Sequence, residues 1–340
     1  MSIRSVIVYA LLFIAACAAA WFSWTHEVAH EEAEGVVLLQ ATPEDLESVA
    51  FRSEEIDVTL TRRSDERGTY VWAETTTRRK PGAPPPDPHG SPAADTDGGP
   101  TEQSAAFKAG VTADQLFEDL APFRVSRRLE VGPDRIAEFG FDDPRGELVI
   151  TTRDKTRTAF EIGDTGYGHR HVYLRDEQGR VYVAENSLVG PLERADTRLP
   201  DKRLFDFERA NVERATISTG NDSLQLVQRN REDAAAARWT EPGAEEPAES
   251  AQSWLDKLFR LRSSGYVPED AADFEREVAF SVKLEPADAP PVVVTVSRGA
   301  GAEAAPAWYA QSDFTRGLVE LNSSIAADIA DDLGTLFTTP

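Results

Sequence analysis

The sharpest chemical pattern in the chain is His26-Glu27-Val28-Ala29-His30, which fits H-E-x-x-H. On a helix, two such imidazoles one turn apart can hold zinc while the glutamate acts as base. A zinc hydrolase also needs a third ligand and a cleft around the metal. Here the pattern begins two residues beyond a hydrophobic segment, and Glu31, Glu32 and Glu34 come directly after it. An acidic, solvated stalk accounts for the same residues. His169 and His171 alternate on an expected strand, which places both rings on one face, yet two ligands make a weak metal site. His89 lies in a Pro- and Gly-rich stretch. The run Gly163-Asp164-Thr165-Gly166-Tyr167-Gly168 is not G-x-G-x-x-G, and a hairpin turn offers no helix N-terminus to a phosphate. The chain has no G-x-S-x-G elbow and no Walker A sequence. No catalytic or cofactor-binding residue is assigned. His26, His30, His169 and His171 are the candidate metal ligands.

What positions these residues starts with an anchor. Ser5 to Trp24 runs twenty residues without a charge, about the number a helix needs to cross roughly 30 Å of hydrocarbon. Arg4 precedes it and Glu27, Glu31, Glu32 and Glu34 lie beyond it, so the positive-inside bias puts residues 1–4 in the cytoplasm and the body outside it. Two processing routes compete: a cleaved signal peptide, and lipidation of Cys17 within Ile14-Ala15-Ala16-Cys17. All three place the body beyond a bacterial inner membrane, in the periplasm or outside the cell. Cys17 is the sole cysteine, so no intrachain disulfide forms. The net charge of −23, from 59 acidic against 36 basic residues, repels phosphate backbones at long range. Nucleic acid is not an expected partner.

The body repeats itself. Leu46 to Phe51 align with Val212 to Ile217, and Val58 and Leu60 with Leu224 and Leu226, at an offset of 166. Farther on, Leu116, Phe117, Leu120 and Phe123 match Trp254, Leu255, Leu258 and Leu261 at 138, and Tyr173, Val183, Asn186 and Ser187 match Tyr309, Val319, Asn322 and Ser323 at 136. The drop in offset is the size of an insert at 78–105, 28 residues rich in Pro, Gly and Asp. That composition buries too little apolar surface to offset its ordering entropy, so a disordered loop is expected. The expected organisation is a stalk at 25–43, a first unit at 44–206 and a second at 207–340.

Within each unit the pattern predicts α+β architecture, a mainly antiparallel sheet with packed helices. Ile56, Val58 and Leu60 alternate with Asp57, Thr59 and Thr61, the period of a strand with one wet face. Thr112 with Gln115 predicts a capping box before the stripe Leu116, Phe117 and Leu120. Four strands centred on Leu148, Phe160, Val172 and Val181 predict a meander. A closing helix carries Ile325, Ile329, Leu333 and Leu336.

Arg135 to Pro144, which includes Phe139-Gly140-Phe141-Asp142-Asp143-Pro144, is succeeded by Phe160-Glu161-Ile162-Gly163-Asp164, Val172-Tyr173-Leu174 and Asp201 to Phe207. Together these resemble the bacterial family called domain of unknown function 4340, over roughly residues 44–340. Its "YGL-x-x-P" element stands here with Phe139 and Phe141 for Tyr and Leu, and Val278-Ala279-Phe280 in the second unit lacks the Gly and Pro. The resemblance implies an anchored envelope protein with repeated α+β units, an accessory to ABC-type transporter or gliding-motility systems, with no established catalytic residue. The expected function is therefore non-enzymatic interaction with an envelope or transporter partner. The alternative is a glycan or small-ligand module using the aromatics Tyr173, Tyr182, Trp308 and Tyr309 in a groove between the repeats. A zinc hydrolase through His26, Glu27 and His30 comes third.

Overall fold

The computed structural model describes residues 35–79, 101–220, 222–233, 235–299 and 306–337. The expected anchor at 5–24, Cys17, the His26/Glu27/His30 pattern and His89 lie outside the described residues. Among the described residues no helix is long and apolar enough to cross a membrane.

The first half runs β1 (Val36–Leu39), β2 (Leu46–Arg52), β3 (Ile56–Asp65), β4 (Gly68–Arg79), β5 (Thr101–Lys108), α1 (Val111–Asp119), β6 (Phe123–Val125), β7 (Arg127–Leu129), β8 (Gly146–Thr152), β9 (Arg157–Thr165), β10 (His171–Asp176), β11 (Val181–Glu185), α2 (Gly190–Glu193) and α3 (Ala195–Arg198). The second runs β12 (Val212–Thr219), β13 (Asp222–Arg229), β14 (Arg238–Thr240), α4 (Glu249–Arg260), β15 (Ser263–Tyr266), β16 (Arg276–Pro286), β17 (Val292–Gly299), β18 (Trp308–Ser312), β19 (Val319–Leu321) and α5 (Ser323–Leu336).

Two large antiparallel sheets result, one of nine strands ordered β5-β4-β3-β2-β8-β9-β10-β11-β7 and one of eight ordered β14-β13-β12-β16-β17-β18-β19-β15, beside a two-stranded sheet of β1 and β6. Without β5 the two orders trace the same path. Register agrees as well as order: Val49 faces Leu60 and Phe51 faces Val58 in the first sheet, where Ala215 faces Leu226 and Ile217 faces Leu224 in the second. The alternation expected at Ile56, Val58 and Leu60 is present, with all three buried. The meander β8 to β11 is also as expected.

One helix covers each core. Leu116 and Phe117 of α1 are buried, as are Trp254, Leu255 and Leu258 of α4. Full burial of such side chains stabilises by about 1.5–3 kcal/mol each. Trp254 meets the Phe280 ring edge-on at 5.3 Å and donates Nε1–H to the Ile329 carbonyl at 2.8 Å, joining α4 to α5.

Four expectations change. Gln103, Ser104 and Ala105, placed in the insert, lie on β5 opposite Thr77, Thr76 and Thr75; an edge strand needs only one paired side and tolerates polar residues. The expected insert narrows accordingly, and 80–100 lie outside the described residues. The cap of α1 is Gly110, not Thr112. Gly110 N–H donates to Leu199 O at 2.8 Å, which turns the chain into the helix early. On α5 the buried stripe is Ala326, Ile329 and Leu333, while Ile325 is exposed. Asn322 sets this rotation by accepting from Ser324 N and Ile325 N at 3.1 and 3.2 Å. Finally, the first unit has no counterpart of α5. Its chain breaks into a 3-10 turn (Asn186–Leu188), α2 and α3: Pro191, where Ala327 stands in the second unit, supplies no N–H to carry the turn on into one helix, and Arg194 leaves helical geometry between α2 and α3.

The residues that carry the family resemblance form one packed corner. Gly140 closes the 3-10 turn Pro133–Phe139 at φ +79°, and a Cβ there would meet Asp164 N at 2.7 Å. A Cβ on Gly163 would lie 2.2 Å from the Phe139 carbonyl oxygen. Only glycine allows that approach.

Candidate functional site

The two sheets are joined through the end of the first unit. Asp201 and Lys108 are both buried, and Lys108 Nζ donates to Asp201 Oδ2 at 2.7 Å. Arg203 holds the same carboxylate with Nε and Nη2 at 3.0 and 2.8 Å. From the second unit, Phe314 lies under Lys108 Nζ at 3.7 Å and Tyr266 O–H donates to the Asp201 carbonyl at 3.1 Å. Tyr266 packs against both cores. Burial pushes its phenol up. Burial alone would raise the Asp201 carboxyl, but the bonds from Arg203 and Lys108 outweigh it and hold the group below the usual carboxylate range. Around this centre Arg316 binds Asp65 at 2.6 Å and Arg67 binds Asp313 at 2.6 Å, both across the junction. Every one of these cations has a carboxylate partner, so the junction is an internal clamp.

A second cationic place differs. The broken closing helix leaves an open hollow of about 680 Å³, walled by His169, Arg170, His171, Glu185, Arg194 and Arg198. The side chains of Arg170, Arg194 and Arg198 make no hydrogen bond or ion pair among the described residues. By contrast Arg145, on the other side of α2, pairs with Glu193. The wall is built by local constraints. Gly168 and His169 take successive left-handed conformations at φ +76° and +56°. Thr165 Oγ1 lies 2.9 Å from His169 Nδ1, and Asn186 Nδ2 donates to the His169 carbonyl at 3.2 Å. Asn186 thus pins this turn, whereas its counterpart Asn322 caps α5.

His169 and His171 do meet at one hollow, but not as two residues of one strand. His169 belongs to the turn Tyr167–His169, and only His171 is on β10. Among the described residues no group of three His, Cys, Asp or Glu side chains is placed to hold a metal.

Two of the four aromatics expected to line a groove are not on the surface. Tyr182 and Trp308 belong to the two cores, 3 % and 7 % exposed. Tyr182 O–H donates to Asp176 Oδ2 at 3.0 Å. Tyr173 and Tyr309 are half-buried and each meets a phenylalanine edge-on, Phe139 at 4.8 Å and Phe274 at 4.9 Å. They form the same packing pair in both units, not one shared surface.

The arginines of the hollow escaped the sequence reading because Arg170 lies on a different element, well before Arg194 and Arg198 in the chain. Gly190-Pro191, opposite Ala326-Ala327 in the aligned second unit, was the available signal that the closing helix breaks there.

No curated protein matches the chain, and no solved structure matches it. Residues 110–278 match the model of the family described as Domain of unknown function (DUF4340). That span runs from the cap of α1 into β16, narrower than the resemblance read over 44–340, and contains both Asp201 and the whole wall of the hollow. The chain belongs to the DUF4340 family.

Proposed function

We propose that the protein is a membrane-tethered extracytoplasmic recognition protein, an accessory of a bacterial envelope or ABC-transporter-associated complex that performs no catalysis. The observation that carries this is the hollow. Three guanidinium groups stand there on a rigid frame and serve nothing inside the fold, whereas the junction cations are all paired. Charged groups held ready without an internal partner suit recognition of an anionic component. The uncharged segment at 5–24 and the acidic residues after it support the tether and its orientation. With Tyr182 and Trp308 in the cores, a ligand module would not use those two rings, and the hollow offers it unpaired cations instead.

The test is crosslinking in intact cells, then purification of the tagged full chain from solubilised membranes. Wild type should recover an envelope component, protein or lipid, that is depleted in the Arg170→Gln/Arg194→Gln/Arg198→Gln variant. Equal recovery from both chains contradicts the proposal.

A further inference from the structure

Resting on the hollow as the recognition surface, we infer that its ligand is a phosphate group, presented by a lipid headgroup or by a soluble phosphorylated molecule. A carboxylate is satisfied by fewer cations. Inside this protein Arg203 with Lys108 fully engages Asp201, as a planar two-oxygen acceptor requires. The hollow offers three arginines and two histidines against one carboxylate, Glu185. That donor excess fits a phosphate, with its tetrahedral oxygens and higher charge. Arg194 is the non-helical residue between α2 and α3 and Arg198 closes α3, with Arg198 N–H donating to the Arg194 carbonyl at 2.9 Å, and both line the hollow. Arg170 comes from the pinned turn opposite. The net charge of −23 repels nucleic acid at long range, but beyond about 10 Å such repulsion is screened at physiological salt and local donors decide.

The repeat supplies an internal control. At the aligned positions of the second unit, Arg170, His171, Arg194 and Arg198 are replaced by Pro306, Ala307, Ala330 and Gly334. The second unit, whose closing helix is unbroken, thus has no equivalent cationic wall.

Location favours the lipid source. Glu185 and Ser187 stand between this hollow and a second one, whose other side is Gly35 and Val125. There β1 pairs with β6, at the first described residues of the chain. Ten residues separate Trp24 from Gly35, a reach of at most about 40 Å even if fully extended. A tether ending at Trp24 keeps Gly35, and the β1–β6 end of the fold with it, within that reach of the headgroups.

The experiment uses the purified full chain in a neutral detergent at physiological ionic strength. Inorganic phosphate and glycerol phosphate are titrated calorimetrically with chloride as the control ion. In parallel, native mass spectrometry counts retained phosphatidylglycerol against phosphatidylcholine. Arg194→Gln/Arg198→Gln is compared with Arg127→Gln/Arg128→Gln, which removes equal charge from exposed β7 positions outside the hollow, and circular dichroism melts confirm that both fold. Wild type should bind, the hollow variant should lose at least tenfold in affinity, and the β7 variant less than twofold. Binding of the soluble phosphates without retention of phosphatidylglycerol identifies a soluble ligand, and retention of phosphatidylglycerol, with or without the free phosphates, identifies a headgroup. No binding in either arm, or equal loss in both variants, overturns the inference. Phosphate binding that persists when no envelope component is recovered from cells would leave this site standing and remove the accessory role.

Discussion

Replacing Asp201 by alanine should do more damage than any other single change at the junction. The substitution keeps the backbone bonds, from Asp201 N to Lys108 O at 3.0 Å and from Tyr266 O–H at 3.1 Å, because neither uses the Asp201 side chain. It strands the Lys108 ammonium, 6 % exposed, above the Phe314 ring without its bonded carboxylate, leaving only the longer-range charge of Asp114. Removing one partner of a buried ion pair costs about 3–5 kcal/mol, most of it the penalty of the orphaned charge. At about 2–4 °C per kcal/mol for a body of this size, the melting temperature should fall on the order of 10 °C. Scanning calorimetry of the full chain in detergent measures this. The diagnostic comparison is Asp201→Ala/Lys108→Met, which removes the stranded ammonium and should recover part of the loss. A shift below about 2 °C for Asp201→Ala, or a double variant no more stable than the single one, would refute the clamp.

The same geometry fixes further outcomes. Because the Asp201 carboxyl is depressed in the folded state, its contribution is present above the unfolded value near 3.9 and is lost as pH falls through the folded value; the stability gap between wild type and Asp201→Asn should therefore shrink on acidification, as read by urea melts at pH 6 and pH 3. Gly163→Ala, whose Cβ would press on the Phe139 carbonyl oxygen, should destabilise by about 1–3 kcal/mol, with the cost seen in the denaturation midpoint. Tyr182→Phe loses the bond to Asp176 and should cost about 1 kcal/mol while leaving phosphate titrations unchanged. Trp254→Ala empties the contact between α4, Phe280 and α5, and a loss of about 3–5 kcal/mol is expected in the same melts.

Sheet periodicity was the most legible signal. Ile56, Val58 and Leu60 declared a strand because each faces the core in turn, and the same positions recur at Leu224 and Leu226. The stripe of Trp254, Leu255 and Leu258 declared α4 for the same reason at helical spacing. What stayed hidden depends on partners distant in sequence. β5 carries Gln103 and Ser104 and shows no apolar period at its start, since its register comes from β4 alongside it. Tyr182 and Trp308 have polar tips that suggest a surface, and only the fold reveals that Asp176 meets the Tyr182 hydroxyl inside. The hollow needs Arg170 from a turn and Arg194 and Arg198 from the far side of a helix break, a meeting that no local pattern encodes.

Recognition of an envelope component requires first that this hollow face away from the cytoplasm. Paired reporters fused after Pro340 read that directly: alkaline phosphatase folds into an active enzyme only outside the cytoplasm, and green fluorescent protein becomes bright when left inside. Tethering through 5–24 predicts active phosphatase and dark fluorescent protein in intact cells. Bright fluorescence with inactive phosphatase would place the arginines on the wrong side of the membrane and contradict the proposed role.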